Sequence, residues 1–480
     1  MRATAALVGG LLAACTRPAA ANIHGRWATV GEQKTIPDPF AKGISQLSVR
    51  YSHTAAVFED QMIVTHGYFY NRNAKPSQPA WLHDTWSFSF KSGRWSILHD
   101  GKKGAPSPRY GHSTFMHDGG MYIFGGDDGD HKASPTNYRS HHFNDVWRFD
   151  MAARTWQEIK PAAGSPVPAP RSLHGSGLVG NSFVVYGGLG HNDTWSFDLS
   201  TATWSKHEIR THQAHPGTRY ASSYAAVGDK LYIFGGARRG GFPIDDLWSF
   251  EPATGLWTRL SVTAEAQTKL VEDKLWPPGR SYGSLAAATT LAGAPALVLY
   301  GGANCTRGCQ CKGDSWVYDI AARSFSFVEV STDALPIARY RQSLVDYNSK
   351  LYVFGGESYK PYMYHNSVSE LSLTAEKTAA PAANPLAERL ASLRGSGEVV
   401  RAVSSAVASS SSSTPSAKAP SGLSSRSSAT APMAAQSLSP MNTIMLVLAV
   451  VPVAAAVVWW LCRKVAAPGD EYSRSQAAKP

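Results

Sequence analysis

The sequence predicts an all-β fold, a closed ring of six four-stranded sheets made from six repeats of one unit, and three observations carry that prediction. The first is the stretch "PRYGHSTFMHDGGMYIFGG" (108–126): an arginine, a short apolar strand, a turn, and a second strand that ends on paired glycines. It returns closely at 218–236 and 338–356 and more loosely three times, with glycine ends at 64–67, 123–126, 185–188, 233–236, 299–302 and 353–356; His66 replaces the first glycine of unit 1. The second is a set of acidic-aromatic third strands in register, "HDTWSF", "NDVWRF", "NDTWSF", "DDLWSF" and "GDSWVY", carrying Trp86, Trp147, Trp195, Trp248 and Trp316. Fourth strands follow with Trp95, Trp156, Trp204, Trp257 and Phe325. The third is a mismatch at the two ends. Unit 6 stops at "HNSVSELSL", with Ser367 and Ser369 in place of the usual Asp and Trp and no fourth strand, while "GRWATV" (25–30) ahead of unit 1 mimics its fourth strand "GRWSIL" (93–98). The N-terminal strand is therefore expected to complete the sixth sheet and latch the ring.

Each element has a local reason. The alternation of aromatic and small residues along the strands gives a sheet two faces to bury, which one twisted four-stranded sheet cannot do alone; radial stacking into a ring buries them and leaves only short edges. Paired glycines end the second strand because the turn there needs positive φ and close backbone approach. The unit resembles the kelch repeat, and the resemblance covers residues 25–373. It implies a six-bladed propeller over residues 22–375 whose first strands line the axis.

The remaining elements follow in chain order. Residues 1–21 have a basic start, an apolar stretch from Ala3 to Ala14 and small residues at Ala19 and Ala21, the layout of a cleavable secretory signal. The rival reading is a lipoprotein signal ending at Cys15. After the ring, residues 376–403 predict a short helix, with Asn384 and Pro385 at its start, Leu386, Leu390 and Leu393 on one face, and Gly395 at its end. Residues 404–440 are Ser, Ala, Pro and Thr, a composition that buries too little apolar area to fold and suits an O-glycosylated stalk. Residues 443–462 are uncharged and mostly apolar, about 30 Å as a helix and so one bilayer core. Trp459 and Trp460 followed by Arg463 and Lys464 place that end inside the cell, with 463–480 as a cytoplasmic tail. A type I protein of the plasma membrane or another secretory membrane is expected, with the propeller outside.

Composition excludes one function class. The chain's formal charge is +11, but residues 22–375 carry 34 Lys and Arg against 30 Asp and Glu, and no basic run tracks a phosphate backbone; no nucleic-acid partner is expected.

The sharpest constellation is one arginine at the entry of each first strand: Arg50, Arg109, Arg171, Arg219, Arg280 and Arg339. Three sit in Arg-x-x-His with His53, His112 and His174. The resemblance implies that the six converge on one mouth of the channel, where some family members bind acidic peptides or sugar acids. The competing reading pairs them inside the blades with Asp84, Asp145, Asp193, Asp246 and Asp314, fork against carboxylate. Ser367 stands where unit 6 should have its aspartate, so a positive excess is expected at Arg339, next to Arg50.

Cys305, Cys309 and Cys311 are the cysteines expected to face outside, and one disulfide joining Cys305 to Cys309 or Cys311 is expected; zinc would need a fourth ligand this loop does not offer. Cys462, at the inner membrane boundary, is a candidate for palmitoylation. Asn192 and Asn304 head glycosylation sequons. "DDGDH" (127–131) matches no metal-loop spacing and reads as a solvated turn. No cofactor or metal is expected.

The kelch resemblance leaves two function classes open. A cell-surface module recognising an extracellular protein or an acidic glycan needs only a binding face. A carbohydrate-active enzyme of the kelch type, similar to sialic acid mutarotases, needs an acid–base group, and Glu357 beside the last glycine pair is the candidate. The copper radical oxidases of the kelch type are excluded by their need for a Tyr-crosslinked Cys, since the outer cysteines here share one loop.

Overall fold

In the computed structural model of the chain the described residues are 23–31, 47–71, 78–129, 141–261, 270–272, 274–306, 308–330, 337–359 and 361–375. The signal, the helix at 376–403, the stalk, the spanning segment, the tail, Cys15 and Cys462 lie outside them. Among the described residues no helix is long and apolar enough to cross a membrane.

Those residues form an all-β propeller. Units 1 to 4 each fold into a separate four-stranded antiparallel sheet, with strands adjacent in chain order. The first strands, Thr54–Phe58, Ser113–His117, Gly175–Val179, Ser223–Val227, Ser284–Thr289 and Ser343–Tyr347, neighbour one another in a closed cycle around the axis. Units 5 and 6 share one eight-stranded sheet, and the reason is the N-terminal strand Ile23–Gly31. It pairs antiparallel with Val368–Ala375, the third strand of unit 6, from Ile23↔Ala375 to Gly31↔Val368. At its start it also pairs parallel with the fourth strand of unit 5, Ile23↔Val328 to Gly25↔Val330, a contact the repeat pattern does not predict.

The side chains confirm that this strand holds a fourth-strand position. In every unit the fourth-strand aromatic packs on the end of the preceding unit's second strand: Trp95 on Phe354, Trp156 on His66, Trp204 on Phe124, Trp257 on Tyr186 and Phe325 on Phe234. Trp27 does the same for unit 6, its ring centre 5.0 Å from that of Tyr300. The apolar clusters accordingly lie between sheets; one joins Phe115 and Phe124 of unit 2 to Phe183, Trp195 and Trp204 of unit 3. Burial of these rings is the dominant stabilising term, non-directional in itself but given one register by the repeat.

The glycine pairs do what their positions require. A Cβ on Gly125 (φ 68°) would stand 2.7 Å from the carbonyl oxygen of Arg171 in the next unit. His66 adopts the same left-handed conformation, φ 56°, at the corresponding place in unit 1.

Candidate functional site

The entry arginines are buried, and five of the six are closed by carboxylates. Arg50 donates through Nη1 and Nη2 to both oxygens of Asp84 at 2.9 and 3.0 Å. The same fork joins Arg109 to Asp145, Arg171 to Asp193, Arg219 to Asp246 and Arg280 to Asp314. Each Nη1 also donates to the carbonyl of the first glycine position, for example Arg171 to Gly187 at 3.1 Å. The third-strand tryptophan completes the unit by donating Nε1 to the same aspartate, at 2.7 Å from Trp195 to Asp193. Burial works to raise the Asp193 carboxyl, but the bonds from Arg171 and Trp195 overcome it and bring it to about 2. The expected convergence of six guanidiniums on the channel mouth is therefore corrected: an arginine with a carboxylate at fork distance inside its own sheet gains more from that bidentate bond than from water at the axis. Arg50 belongs to these closed pairs, which leaves Arg339 as the one entry arginine without a carboxylate partner among the described residues.

What faces the axis is the backbone just after each arginine. The residues two places on, Ser52, Gly111, Leu173, Ala221, Tyr282 and Arg341, all have positive φ, between 50° and 63°, although only one is glycine. Their amides form a closed circuit: Gly111 donates to Ser52, Leu173 to Gly111, Ala221 to Leu173, Tyr282 to Ala221, Arg341 to Tyr282 and Ser52 to Arg341, at 2.8–2.9 Å. A second circuit runs beside it, each second glycine donating to the carbonyl of the next unit's entry arginine, from Gly67 to Arg109 around to Gly356 to Arg50. Left-handed backbone in a side-chain-bearing residue costs energy and persists only where its surroundings over-determine it, which these circuits do.

Because of that circuit, Arg341 is carried into a nest of tyrosines. Its guanidinium carbon lies 4.5 Å from the ring centre of Tyr282, 5.3 Å from Tyr340 and 5.4 Å from Tyr51, a cation on three aromatic faces. Its Nη1 donates to Glu357 Oε1 at 3.0 Å. Burial works against its charge, but Tyr282 and Glu357 outweigh it and hold the proton more tightly than usual. The Tyr51 hydroxyl is pushed up, first by burial and then by Glu357. Tyr51 also packs on Tyr68 and stacks on Tyr364. This cluster presents flat rings, hydroxyls and one charge-assisted pair, a surface suited to stacking and polar contacts. Sequence reasoning reached Glu357 but missed Arg341 and the tyrosines; the repeated Arg-Tyr of units 1, 2, 4 and 6 was the available signal.

The three Arg-x-x-His histidines clamp neighbouring units. His112 Nε2 meets Thr54 Oγ1 of unit 1 at 2.7 Å, His174 meets Ser113 Oγ of unit 2 at 2.8 Å, and His53 meets Ser343 Oγ of unit 6 at 3.0 Å. Burial, and after it the nearby arginines, push all three well below their ordinary range, so the rings are neutral. A folded pKa below the unfolded value means the unfolded chain binds more protons, so this contribution is complete above about pH 6.5 and lost as pH falls below it. Each ring then removes about 1.4 kcal/mol per pH unit. The denaturant midpoint is expected to drop steadily from pH 6.5 to 5, and His112→Gln should flatten that slope; a flat wild-type profile would show the rings titrate normally.

Cys305 is joined to Cys309, with Cα atoms 3.9 Å apart, which resolves the two pairings the sequence left open. Cys311 is free; its thiol is pushed up by burial and accepts the Tyr359 amide at 3.3 Å. Asn192 is exposed, whereas the hydroxyl of its sequon partner Thr194 is buried and accepts Nε1 of Trp257. The Asn304 side-chain oxygen accepts from the amide and hydroxyl of Thr306. Among the described residues no three His, Cys, Asp or Glu side chains are grouped to hold a metal ion; Asp130 and His131 of the acidic turn lie outside them.

Comparisons with known proteins agree with this geometry. The model of the KLHDC2/KLHL20/DRC7 Kelch-repeats domain matches residues 32–188 and 189–356. Kelch domain-containing protein 3 of Homo sapiens is 36% identical over 84 residues, covering 17% of this chain and 19% of that protein. Leucine-zipper-like transcriptional regulator 1 homolog of Drosophila melanogaster is 31% identical over 107 residues, covering 21% and 10%. Host cell factor 2 of Homo sapiens is 27% identical over 167 residues, covering 32% and 19%. The chain thus spans less than a fifth of the length of these relatives. Among solved structures, YjhT aligns with a TM-score of 0.49 at 16% identity, covering 68% of this chain and 97% of that one. With both the repeat geometry and a family model spanning more than half of its residues, the chain belongs to the Kelch-repeat family.

Proposed function

We propose that the chain is a six-bladed recognition module, displayed outside the cell on a type I membrane anchor, that binds an extracellular protein on one face of the ring. A Kelch propeller supports a protein-interaction module in general; one observation favours this face. In an antiparallel four-stranded unit the loop between the second and third strands and the segment leading into the next first strand emerge on the same side. Of the eleven large apolar side chains exposed among the described residues, eight lie on that side, including Leu189, Phe242, Tyr362 and Met363 in the loops and Val167 and Ile337 in the entry segments. The opposite side offers only Leu256, the first residue of a fourth strand, and Leu291, and Ile97 lies within an outer strand. Apolar groups gathered on one rim around a tyrosine-lined mouth have the character of a protein-binding surface.

A photo-crosslinking residue placed at Phe242 in the full chain on intact cells is expected to trap one partner, and the same residue at Leu256 is expected to trap none. Equal labelling from both positions, or none from either, overturns the reading. The second reading, a carbohydrate-active enzyme, draws on the same cluster, where a buried Glu357 faces tyrosine hydroxyls; it predicts turnover of an acidic sugar that Glu357→Gln abolishes. An acidic glycan bound without turnover at the mouth would place the ligand class with glycans instead of proteins.

A further inference from the structure

Arg339 is the one entry arginine that meets no carboxylate among the described residues. In units 2 to 5 the residue just before the third strand is the fork's aspartate, and that strand opens on a pair with the end of the second: Val146 with Phe124, Thr194 with Tyr186, Leu247 with Phe234 and Ser315 with Tyr300. In unit 6 Val368 pairs with Phe354 in the same way, which puts Ser367 in the aspartate's place. Arg339 keeps the backbone half of the arrangement, Nη1 to Gly355 O at 3.2 Å and Nε to Ile337 O at 3.1 Å, and is as buried as its sisters, 2% exposed.

Its polar neighbours supply no countercharge. The Tyr300 hydroxyl is buried beside the guanidinium and donates to no acceptor among the described residues. His365 is kept neutral, pushed down to about 3 by burial and then by Arg339, and its Nε2 is spent on Ser358 Oγ at 2.6 Å. A buried guanidinium without an anion and a buried hydroxyl without an acceptor are each costly, and here the two stand side by side. The shape they require is written five times in the same molecule: a planar carboxylate taking two parallel N–H bonds. In three of the five sister units that seat is reachable from solvent, since the side chains of Asp145, Asp193 and Asp314 are 22–23% exposed while their arginines are at most 1% exposed; Asp84 and Asp246 are more enclosed, at 5% and 9%.

We propose that the Arg339 fork is a carboxylate-binding site, in which a ligand carboxylate occupies the place that Asp145 or Asp314 holds in the sister units, with the Tyr300 hydroxyl as an added donor. The planar two-oxygen fork favours a carboxylate over a spherical anion such as chloride. The carboxylate can come from a small organic acid or from an acidic side chain of a bound protein. The site stands independently of the apolar face, since its evidence is the internal comparison of six equivalent positions.

The test is thermal unfolding of the full chain in sodium acetate against sodium chloride at equal ionic strength, with a tetra-glutamate peptide as a third arm. Wild type is expected to melt several degrees higher in acetate than in chloride. Ser367→Asp, which supplies the carboxylate from the chain itself, should melt higher than wild type in chloride and show no acetate-specific gain. Arg339→Met should also lose the gain, which keeps the test decisive if Ser367→Asp fails to fold. A gain with the peptide but not with acetate assigns the carboxylate to a partner's acidic side chains. Wild type indifferent to both, or an acetate gain that persists in Arg339→Met, overturns the proposal.

Discussion

Deleting residues 22–31 is expected to lower the unfolding midpoint of the propeller more than any other short deletion. The strand supplies the fourth-strand position of unit 6 and ties it to unit 5, so its loss uncovers two edges at once: that of Val368–Ala375 and that of the unit 5 strand at Val328 to Val330. It also removes Trp27, which packs with Tyr300, Val298, Val328, Leu351 and Leu371 in a cluster drawn from both units. Trp27→Ala alone should cost about 3–5 kcal/mol, the range for deleting a buried aromatic. Thr29→Ala, at an exposed residue of the same strand, should change stability by less than about 0.5 kcal/mol. Gly25 is a sharper probe of the fit, because a Cβ there would meet Val328 Cγ1 at 2.7 Å and Leu371 Cδ1 at 2.8 Å. Urea unfolding followed by circular dichroism measures all four. A deletion variant with an unchanged midpoint would show that the ring is held by the other seams and that the latch is dispensable.

Breaking one fork is the second large effect. Asp84→Ala leaves Arg50 buried without its countercharge and removes the acceptor of Trp86 Nε1, 2.7 Å away. Stranding one member of a buried pair costs about 3–5 kcal/mol. Arg50→Met combined with Asp84→Leu removes both charges, and the double variant should recover part of that loss, because the penalty lies in the stranded charge more than in the missing bond. The loss should not recover if Arg50's bond to the His66 carbonyl, at 3.0 Å, is what holds the turn. The double-mutant cycle separates the two. Acid acts on the same pairs in a known direction. Burial works to raise the carboxyls of Asp84, Asp145 and Asp314, and the arginine bonds overcome it, so all three are held below their ordinary value; their contribution is present above about pH 4 and lost below it. Loss of the histidine clamps therefore comes first on acidification and loss of the forks second.

The repeat boundaries, the glycine ends, the Asp-x-Trp register and the orphan strand at 25–30 were all legible in the chain, because each is a local pattern: alternation for a strand, positive φ for a turn, an aromatic at a fixed offset. The same alignment located the odd member, Ser367 opposite Arg339. What the linear pattern left open was direction. An arginine at a strand entry can point to the axis or into its own sheet, and only the folded register brings Asp84 or Asp314 within fork distance, more than thirty residues along the chain. The left-handed residues at the axis carry almost no sequence mark, since five of the six are not glycine; their conformation comes from amide circuits that exist only once six units have closed. The gathering of Arg341, Glu357, Tyr51 and Tyr282 follows from the same closure, which brings unit 1 against unit 6. Local propensity thus determined the strands and the turns of this protein, while the tertiary structure decided which polar groups face one another, because those contacts join residues distant in the chain that meet only through the register of one sheet, as in the forks, or across the seams of the ring, as in the histidine clamps.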